Sequence, residues 1–264
     1  MKPSTVFLGE MTTVEVENFL KTGHTVIIPV GATEQHGPHA PLLTDVLIPQ
    51  EVARRAAPAL NAVVAPPINY ALSYPHVGFT GLAHIRIPTF MALIEDLAVC
   101  FAKVGFKRIV FLNGHYDNTY AIAYACANAA EKLPRDVKAF PVNYWDGMSP
   151  EESAEYVSLA KGMHANAAET SAVLAINPNL VDMEKANAEF PPFPDYTVNT
   201  HPVHTAFFFT SPGSVYWATK SGTWGDARQA TAEMGERYIQ LGVKSTLAVL
   251  ENIEKTFQAM PPRD

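Results

Sequence analysis

The chain has 264 residues, of which 48% are hydrophobic, enough to form one large domain with its own core. Its formal net charge is −7, and no cluster of lysine and arginine offers the phosphate-binding surface that nucleic acid requires, so we expect no nucleic-acid partner. The longest apolar runs are far shorter than the roughly 20 residues that cross a bilayer, so we expect no membrane segment.

The organisation of the sequence indicates one cytoplasmic domain covering residues 1–264. The first residues lack the basic and apolar regions of a secretory signal. The two cysteines, Cys100 and Cys126, lie in predicted helices and are expected to be buried free thiols rather than a disulfide. A proline-rich run at residues 190–194 is interpreted as a loop, since only about 70 residues follow it.

Short, branched apolar runs alternate with longer amphipathic ones along the chain. In chain order, the patterns predict strand 24–30, helix 46–60, strand 62–65, helix 89–104, strand 108–112, helix 119–132, strand 137–142, helix 167–176 and helix 226–257. This alternation is typical of an α/β fold whose mostly parallel sheet is covered by helices on both faces. Ligands bind beyond the carboxyl ends of such strands, so functional residues should follow the strands.

The first polar cluster follows the first predicted strand and contains Glu34, His36 and Asp45 in the run GATEQHGPHAPLLTD. In an extended segment, side chains two residues apart point the same way, so Glu34 and His36 can face one point. Two carboxylates and an imidazole suit a divalent ion such as zinc or manganese. The alternative for Asp45 is a helix cap, and an E-x-H pair alone is a weak signal.

Two further clusters lie at later strand and helix boundaries. His115 and Asp117 follow the third predicted strand and share the two-residue spacing, although Asp117 or Asn118 is alternatively the N-cap of the next helix. Gly114 allows the chain to leave that strand abruptly. His164 and Glu169 lie at the start of the fourth predicted helix, where the helix dipole by itself favours an early glutamate.

Together the clusters supply three histidines and four carboxylates at what should be one edge of the sheet. Two metals that share a carboxylate need about six to eight protein ligands, so this set fits two divalent ions better than one. Other reaction classes lack their motifs, because the sequence contains no G-x-S-x-G elbow and no Walker or G-x-G-x-x-G loop. The sequence therefore predicts a two-metal centre.

At these residues the sequence resembles the creatininase family. Residues 31–45 are similar to the family signature G-x-x-E-Q-H-G-x-H-x-P-x-x-T-D, and residues 113–118 (NGHYDN) are similar to N-G-H-x-x-N. Residues 164–171 resemble H-x-x-x-x-E-T-S, and residues 221–235 resemble G-x-x-G-D-x-x-x-A-T-x-E-x-G. The resemblance runs from about Phe7 to the final helix, in the order of the family.

The resemblance implies a three-layer α/β/α fold and two divalent ions per chain, zinc or manganese. It also implies hydrolysis of cyclic amides or other non-peptide C–N bonds by a metal-bound hydroxide. By position, the metal ligands are Glu34, His36, Asp45 and His115, with Asp45 bridging the ions. Asp117 stands where creatininase itself has a glutamate ligand and many relatives have glycine, so either Asp117 or Glu169 is expected to complete the second site.

His164 matches the catalytic histidine of the family and is expected to act as general acid and base. Glu169 is alternatively the partner that fixes the tautomer of His164. The resemblance further implies that the chain forms a homo-oligomer, with six copies in a hexamer. The apolar run Ala206-Phe207-Phe208-Phe209 is either a subunit contact or an internal strand.

A small molecule is the expected partner. Tyr116 and Trp145 match positions that contact the substrate in creatininase, although Trp145 could instead pack in the core. Ala160 stands where creatininase has a second pocket tryptophan, and the F-P-G-T segment of the family is replaced at residues 79–82. We therefore expect a compact cyclic amide other than creatinine, unless Tyr74 or Trp224 fills the gap.

Other functions remain open at this point. A formamide on a nucleotide-like precursor and a peptide C-terminus are both substrates within the family, and Arg86 is the conspicuous candidate for holding a phosphate. A metal-stabilised binding protein without turnover is the alternative from a different class. Intact His164 and a complete ligand set argue against it.

Overall fold

A computed structural model of the chain describes residues 5–191 and 210–260, and four parallel strands lie at its centre. In chain order they are β1 (Thr25–Val30), β2 (Ala62–Val64), β3 (Arg108–Asn113) and β4 (Lys138–Asn143). Their order in the sheet is β2-β1-β3-β4, and all three pairings are parallel. The last residues of β1, β3 and β4 are in register, so the loops that follow these strands leave from one edge.

Helices cover both faces of this sheet. They are α1 (Thr13–Phe19), α2 (Thr44–Ala56), α3 (Ile87–Val104), α4 (Thr119–Ala130), α5 (Pro150–Ala160), α6 (Ala167–Ile176), α7 (Ser214–Ala218) and α8 (Ala232–Ala259). Side chains alternate between faces along each strand. Ile28 and Phe111 accordingly pack into a core with α3 and α4, whereas Ile27 and Val110 pack into a second core with α2 and α8. The predicted three-layer α/β/α arrangement is confirmed.

A second, small sheet lies apart from the central one. It contains β5 (Gly162–His164), β6 (Ala188–Glu189) and β7 (Trp224–Asp226), in the antiparallel order β5-β7-β6. Its strands have two or three residues each, too few to show a period of two in the sequence. Its importance for the site is that β5 ends at His164.

The predicted elements of the central sheet agree with the structure to within one residue at each strand end. The final helix was predicted to begin too early, because residue 226 belongs to β7. The helix begins at Ala232, with Thr231 as its N-cap.

The expectation that both cysteines are buried free thiols is only half right. Both thiols are free, but Cys100 is exposed and only Cys126 is buried. No helix within the two described ranges is long and apolar enough to cross a membrane.

Candidate metal centre

Two glycines bring the loops at the sheet edge against the first turn of α2. A Cβ atom on Gly31 would lie 2.4 Å from the Asp45 carbonyl oxygen, and one on Gly114 would lie 2.8 Å from the same atom. Neither distance is possible for a real side chain, so these positions require glycine for close approach. The sequence suggested that Gly114 allows a sharp turn. The structure instead shows that glycine is required at this position because the chain contacts α2 there.

Asp45 lies in the first turn of α2 with its carboxylate between two imidazoles. His36 Nε2 is 3.2 Å from Oδ1, and His115 Nδ1 is 2.8 Å from Oδ2. Each carboxylate oxygen thus faces a different histidine, which is the arrangement needed for a carboxylate shared by two ions. Leu43 occupies the N-cap position of α2, so the alternative that Asp45 caps this helix is wrong.

Glu34 is the most enclosed carboxylate of the cluster, with 1% of its surface exposed. Its Oε2 atom accepts a hydrogen bond from Ser73 Oγ at 2.6 Å and lies 3.4 Å from His115 Nε2. Its Oε1 atom lies 3.2 Å from His76 Nε2. These contacts aim the Glu34 carboxylate at the same centre that His115 and Asp45 face.

Glu169 and Asp117 are the two candidates for completing the second site. Glu169 lies in the first turn of α6, where one of its oxygens accepts a hydrogen bond from the Asn166 amide at 3.2 Å. Its carboxylate also lies within 4.8 Å of ligand atoms of His36 and Asp45. Asp117 lies near His115, but within the described residues it belongs to no group of three such atoms. The geometry favours Glu169.

The described residues contain three groups of ligand atoms that lie within 4.8 Å of one another. They are Glu34 with Asp45 and His115, His36 with Asp45 and Glu169, and Glu34 with His36 and His164. The first two groups share Asp45 and no other residue. Two ions that shared one carboxylate would find their protein ligands in these two groups.

Several buried polar atoms of the cluster lack a hydrogen-bond partner. Of the seven such side-chain atoms in residues 5–191 and 210–260, four lie here: Glu34 Oε1, Asp45 Oδ2, His115 Nε2 and Asp117 Oδ2. Some have a close polar neighbour, but without the geometry of a hydrogen bond. An unsatisfied buried polar group costs about 1–3 kcal/mol, whereas a divalent cation would bind such lone pairs. The donor set therefore fits a metal.

The charges in the cluster shift its pKa values strongly. Burial by itself would lower the pKa of each histidine, but Asp45 raises that of His36 to about 9, and Glu34 with Asp45 raises that of His115 to about 10. Burial raises the pKa of Glu34 to about 8. Burial acts in the same direction on Asp45, but His36 and His115 outweigh it and hold its pKa well below the usual range.

His164 lies at the end of β5 with its ring over the cluster. Its Nε2 atom is 2.7 Å from the backbone carbonyl of Gln35 and 3.0 Å from the Gln35 side-chain nitrogen. Because the carbonyl can only accept and the side-chain nitrogen has two other acceptors, we assign the hydrogen to Nε2. Nδ1, 3.7 Å from Glu34 Oε1, is then the nitrogen with the free lone pair. The expectation that Glu169 fixes this tautomer is corrected, because the Gln35 carbonyl makes the contact. Burial, followed by the charge on His36, holds the pKa of His164 well below its usual value.

Gln35 and His76 orient the cluster and were not assigned from the sequence. The Gln35 side-chain nitrogen lies 2.9 Å from His76 Nδ1 and donates to the Gly222 carbonyl at 3.2 Å. His76 Nδ1 is then an acceptor, and its Nε2–H group points to Glu34. The sequence offered a signal for His76, because this residue follows the second predicted strand. However, eleven residues separate it from the end of β2.

Asn118 occupies the N-cap position of α4 but makes no capping hydrogen bond. Its side-chain nitrogen donates to the Gly31 carbonyl at 3.0 Å, and its oxygen accepts from the Leu72 amide at 3.1 Å. Asn118 therefore ties together the loops that carry the site, which is a different role from the helix cap expected for it.

A cavity of about 370 Å³ opens beside the metal-ligand candidates. This volume lies within the range of about 300–1,000 Å³ found for small-molecule sites. Tyr116 and Trp145 line the cavity, where substrate contacts were expected, and so do Ala160 and Trp224. Tyr74 instead packs edge-on against His84, with ring centroids 5.2 Å apart, and is not part of the lining. Of the two aromatic residues considered for the gap at Ala160, only Trp224 lines the cavity.

The cavity wall is rich in carboxylates, and the lining residues described by the structure include neither lysine nor arginine. The four carboxylates are Glu34, Asp45, Asp117 and Glu169. Arg86, considered for a phosphate, lies at the N-terminus of α3 and outside this lining. A phosphate is held most strongly by charged donors. Within the described lining, no lysine or arginine donor is available to a phosphate.

Comparisons with known proteins agree with this geometry. Residues 9–250 match the sequence profile of one family, described as Creatininase: creatinine amidohydrolase. Creatinine amidohydrolase of Pseudomonas putida is 31% identical over 257 residues, which cover 90% of this chain and 94% of that protein. A mycofactocin precursor peptide peptidase of Mycolicibacterium smegmatis is 36% identical over 221 residues, which cover 80% of this chain and 78% of that protein.

Solved structures extend the likeness to the whole fold. A mutant creatininase of Zn-Zn type superposes with a TM-score of 0.79 and 28% identity, covering 98% of this chain and 100% of that one. Creatininase in a manganese form superposes with a TM-score of 0.76 and 29% identity over the same shares. Sequence profile, relatives and fold agree along most of the chain, and the chain therefore belongs to the creatininase family of hydrolases.

Proposed function

We propose that this protein is a metal-dependent hydrolase that opens a C–N bond in a small, unphosphorylated cyclic amide or a related compound. The observation that carries the proposal is the Asp45 carboxylate, shared by two groups of ligand atoms beside a cavity of small-molecule size. The relative named creatinine amidohydrolase supports the reaction class.

In this proposal Glu34, Asp45 and His115 hold one ion, and His36, Asp45 and Glu169 hold the other. The zinc and manganese forms in which creatininase has been solved favour these two metals. Bound ions would lower the pKa of a water molecule and polarise an amide carbonyl. Asp117 is buried beside His115, and we propose that its carboxylate supports the first site.

His164 is the proposed general acid and base. Its hydrogen on Nε2 is held by the Gln35 carbonyl, so proton transfer takes place at Nδ1. Because burial and the charge on His36 lower its pKa, the ring is neutral at pH 7 and can accept a proton from the attacking water. The same nitrogen then returns that proton to the departing amide nitrogen, which cannot leave as an anion.

Tyr116 and Trp145 are the proposed orienting residues for a flat ring. Creatinine should nevertheless be a poor substrate, because Ala160 provides no stacking face. A tryptophan buries about 150–250 Å². At about 25 cal/mol per Å², loss of half that contact weakens binding by roughly twentyfold to two-hundredfold.

The test is steady-state hydrolysis of a panel containing creatinine, other cyclic amides, ureas, formamides and short peptides. We expect turnover that stops with a chelator and returns with manganese or zinc, and the highest kcat/KM for a cyclic amide other than creatinine. A kcat/KM for creatinine at or above every other compound would contradict the substrate assignment. Metal-loaded protein without turnover of any compound would favour a binding protein.

A peptidase is the second candidate, because the relative from Mycolicibacterium smegmatis is named a peptide peptidase. Within the described residues, the cavity wall offers no lysine or arginine to a peptide carboxylate, which favours the cyclic amide. Cleavage of a short peptide faster than any cyclic amide in the same panel would reverse this order.

We also propose a homo-oligomer, and a hexamer is the form implied by the family. Large apolar side chains are exposed on either side of residues 192–209, with Phe190 62% and Trp217 74% exposed. The contact suggested by the sequence at residues 206–209 lies outside the described residues. That the chain forms a single domain, and that the protein is cytoplasmic, both stay predictions.

A further inference from the structure

Three tyrosine hydroxyls meet at one wall of the cavity. Tyr144 follows β4, Tyr156 lies on α5 and Tyr238 lies on α8. The hydroxyl oxygens are 2.5 Å apart for Tyr156 and Tyr238, 2.9 Å for Tyr144 and Tyr238, and 3.2 Å for Tyr144 and Tyr156. This tyrosine triad has no part in the metal groups, and the proposed reaction does not use it.

The hydrogen bonds of the tyrosine triad have a direction. Tyr238 donates to Tyr156, so its single hydrogen is used, and Tyr144 must therefore be the donor to Tyr238. The hydroxyl hydrogen of Tyr156 can then be donated either to Tyr144, across the longest distance of the three at 3.2 Å, or to an acceptor in the cavity. Hydroxyl pairs prefer about 2.7–2.8 Å. An acceptor in the cavity at that distance would be the better partner.

Burial distinguishes Tyr156 from the other two. Tyr144 and Tyr238 are 3% and 2% exposed, whereas Tyr156 is only partly buried, and all three line the cavity. Ala160 lies one helical turn after Tyr156 on the same face of α5, and its small side chain leaves space there. A ring in that space would lie beside the face of α5 that carries Tyr156.

The chemistry of this wall favours a neutral acceptor. Burial raises the pKa of Tyr156 to about 12, and Tyr144 and Tyr238 shift in the same direction, so all three hydroxyls keep their hydrogens at pH 7. Neutral hydroxyls offer a hydrogen but no positive charge, so they suit an uncharged carbonyl oxygen or ring nitrogen better than an anionic group.

We propose that the tyrosine triad is a specificity subsite in which Tyr156, polarised by the chain from Tyr144 through Tyr238, donates a hydrogen bond to a neutral acceptor on the substrate ring. The inference rests on the proposed function, since it assumes a cyclic amide in the cavity. The subsite is built by α5, α8 and the residue after β4, which carry none of the metal-ligand candidates, so we assign it to a group other than the reacting amide. The preferred substrate is then a cyclic amide with a second carbonyl or an imine nitrogen.

Binding of two rings to the metal-loaded protein tests this subsite by isothermal titration calorimetry. Hydantoin carries a second ring carbonyl, and 2-pyrrolidinone is a cyclic amide of the same ring size without one. We expect the wild type to prefer hydantoin by about tenfold, the usual effect of one hydrogen bond to a buried acceptor. Tyr156→Phe should abolish most of this preference and leave the metal content unchanged. Tyr238→Phe should reduce it, because it interrupts the chain.

Tyr124→Phe is the matched control, because Tyr124 is exposed on α4 and away from the cavity. A preference for hydantoin that survives in Tyr156→Phe would overturn the subsite, as would equal weakening of both rings or a wild type that binds neither. These outcomes do not depend on turnover. Failure of the proposed function would appear separately, as metal-loaded wild type that hydrolyses no cyclic amide.

Discussion

The backbone carbonyl of Gln35 decides which nitrogen of His164 can take part in proton transfer. It accepts the hydrogen of Nε2 and leaves Nδ1 facing Glu34 across 3.7 Å. A histidine held in this way is oriented by the protein backbone rather than by a titrating group, so its orientation does not change with pH. The proposed general acid and base is thus prepared before substrate binds.

His164→Ala should lower kcat by roughly a hundredfold or more, the usual effect of losing a general acid or base. The metal content should not change, because the two groups that share Asp45 do not contain His164. Elemental analysis and kinetics of the same preparation check both parts. His24→Ala, at an exposed position, is the control. Loss of metal from His164→Ala would instead make His164 a ligand, as its contact with Glu34 and His36 would allow.

Metal binding at pH 7 should release about two protons, one each from His36 and His115. Without an ion, the pKa values of about 9 and 10 keep both imidazoles protonated at that pH. Because protons and metal compete for the same atoms, the apparent affinity should rise as pH rises toward 9. Titration of chelator-treated protein with zinc, in buffers of different ionisation enthalpy, counts the protons. Affinity independent of pH would contradict these assignments.

The sequence identified most of the cluster because its residues follow strands at a spacing of two. Glu34 with His36, and His115 near Asp45, came together as parallel-strand topology requires. The roles of Gln35 and His76 depend on hydrogen bonds between residues 41 apart, which no local pattern shows. The choice between Glu169 and Asp117 likewise depends on where α6 packs, and only the fold gives that.

Helices α6 and α8 pack closely enough to exclude a side chain. A Cβ atom on Gly235 would lie 1.8 Å from the Ser171 carbonyl oxygen, although Gly235 lies inside α8, where glycine is unfavourable. Contact with α6 therefore explains this glycine. Because α6 also carries Glu169, the packing of these two helices positions one proposed metal ligand.

Gly235→Ala should lower the free energy of unfolding by on the order of 1–3 kcal/mol, as overpacking does. The added methyl forces α8 away from α6. Urea denaturation gives the change directly. Gly9→Ala is the matched control, since its Cβ atom would lie at an ordinary 3.4 Å from Pro66. Equal stability of Gly235→Ala and wild type would show that α8 can shift without cost.

The elements that could be predicted are those with enough residues to show a pattern. Strands β1, β3 and β4 have six residues each and were found almost to the residue. Helix α5 was not predicted, although its start carries a capping box formed by Ser149 and Glu152. Strand β7 was merged with the last helix, because three residues followed by a short turn interrupt the helical pattern only slightly.

The central sheet separates two apolar cores, and every proposed ligand lies at the carboxyl edge of the sheet between them. The loops after β1 and β3, which carry Glu34, His36 and His115, are anchored to strands buried on both faces. The fold class could be predicted from alternating patterns alone, whereas the walls of the cavity depend on contacts between elements far apart in sequence.

Light scattering should report an oligomer, and the hexamer implied by the family would have six times the 28.8 kDa of one chain, about 173 kDa. Exposed Trp217 and Phe190 are apolar surfaces that subunit contacts would cover. A measured mass near the 28.8 kDa of one chain, at working concentration, would contradict the proposed oligomer.

The number of divalent ions bound by wild type and by Asp45→Ala tests the shared-carboxylate site most directly. Elemental analysis of the purified proteins should find close to two ions per wild-type chain. Asp45→Ala should retain almost none, because each group loses a ligand and the two ions repel each other without the charge between them. Asp96→Ala, at an exposed position on α3, should retain both. A full complement of ions in Asp45→Ala would contradict the bridging role of Asp45 and the two-metal centre built on it.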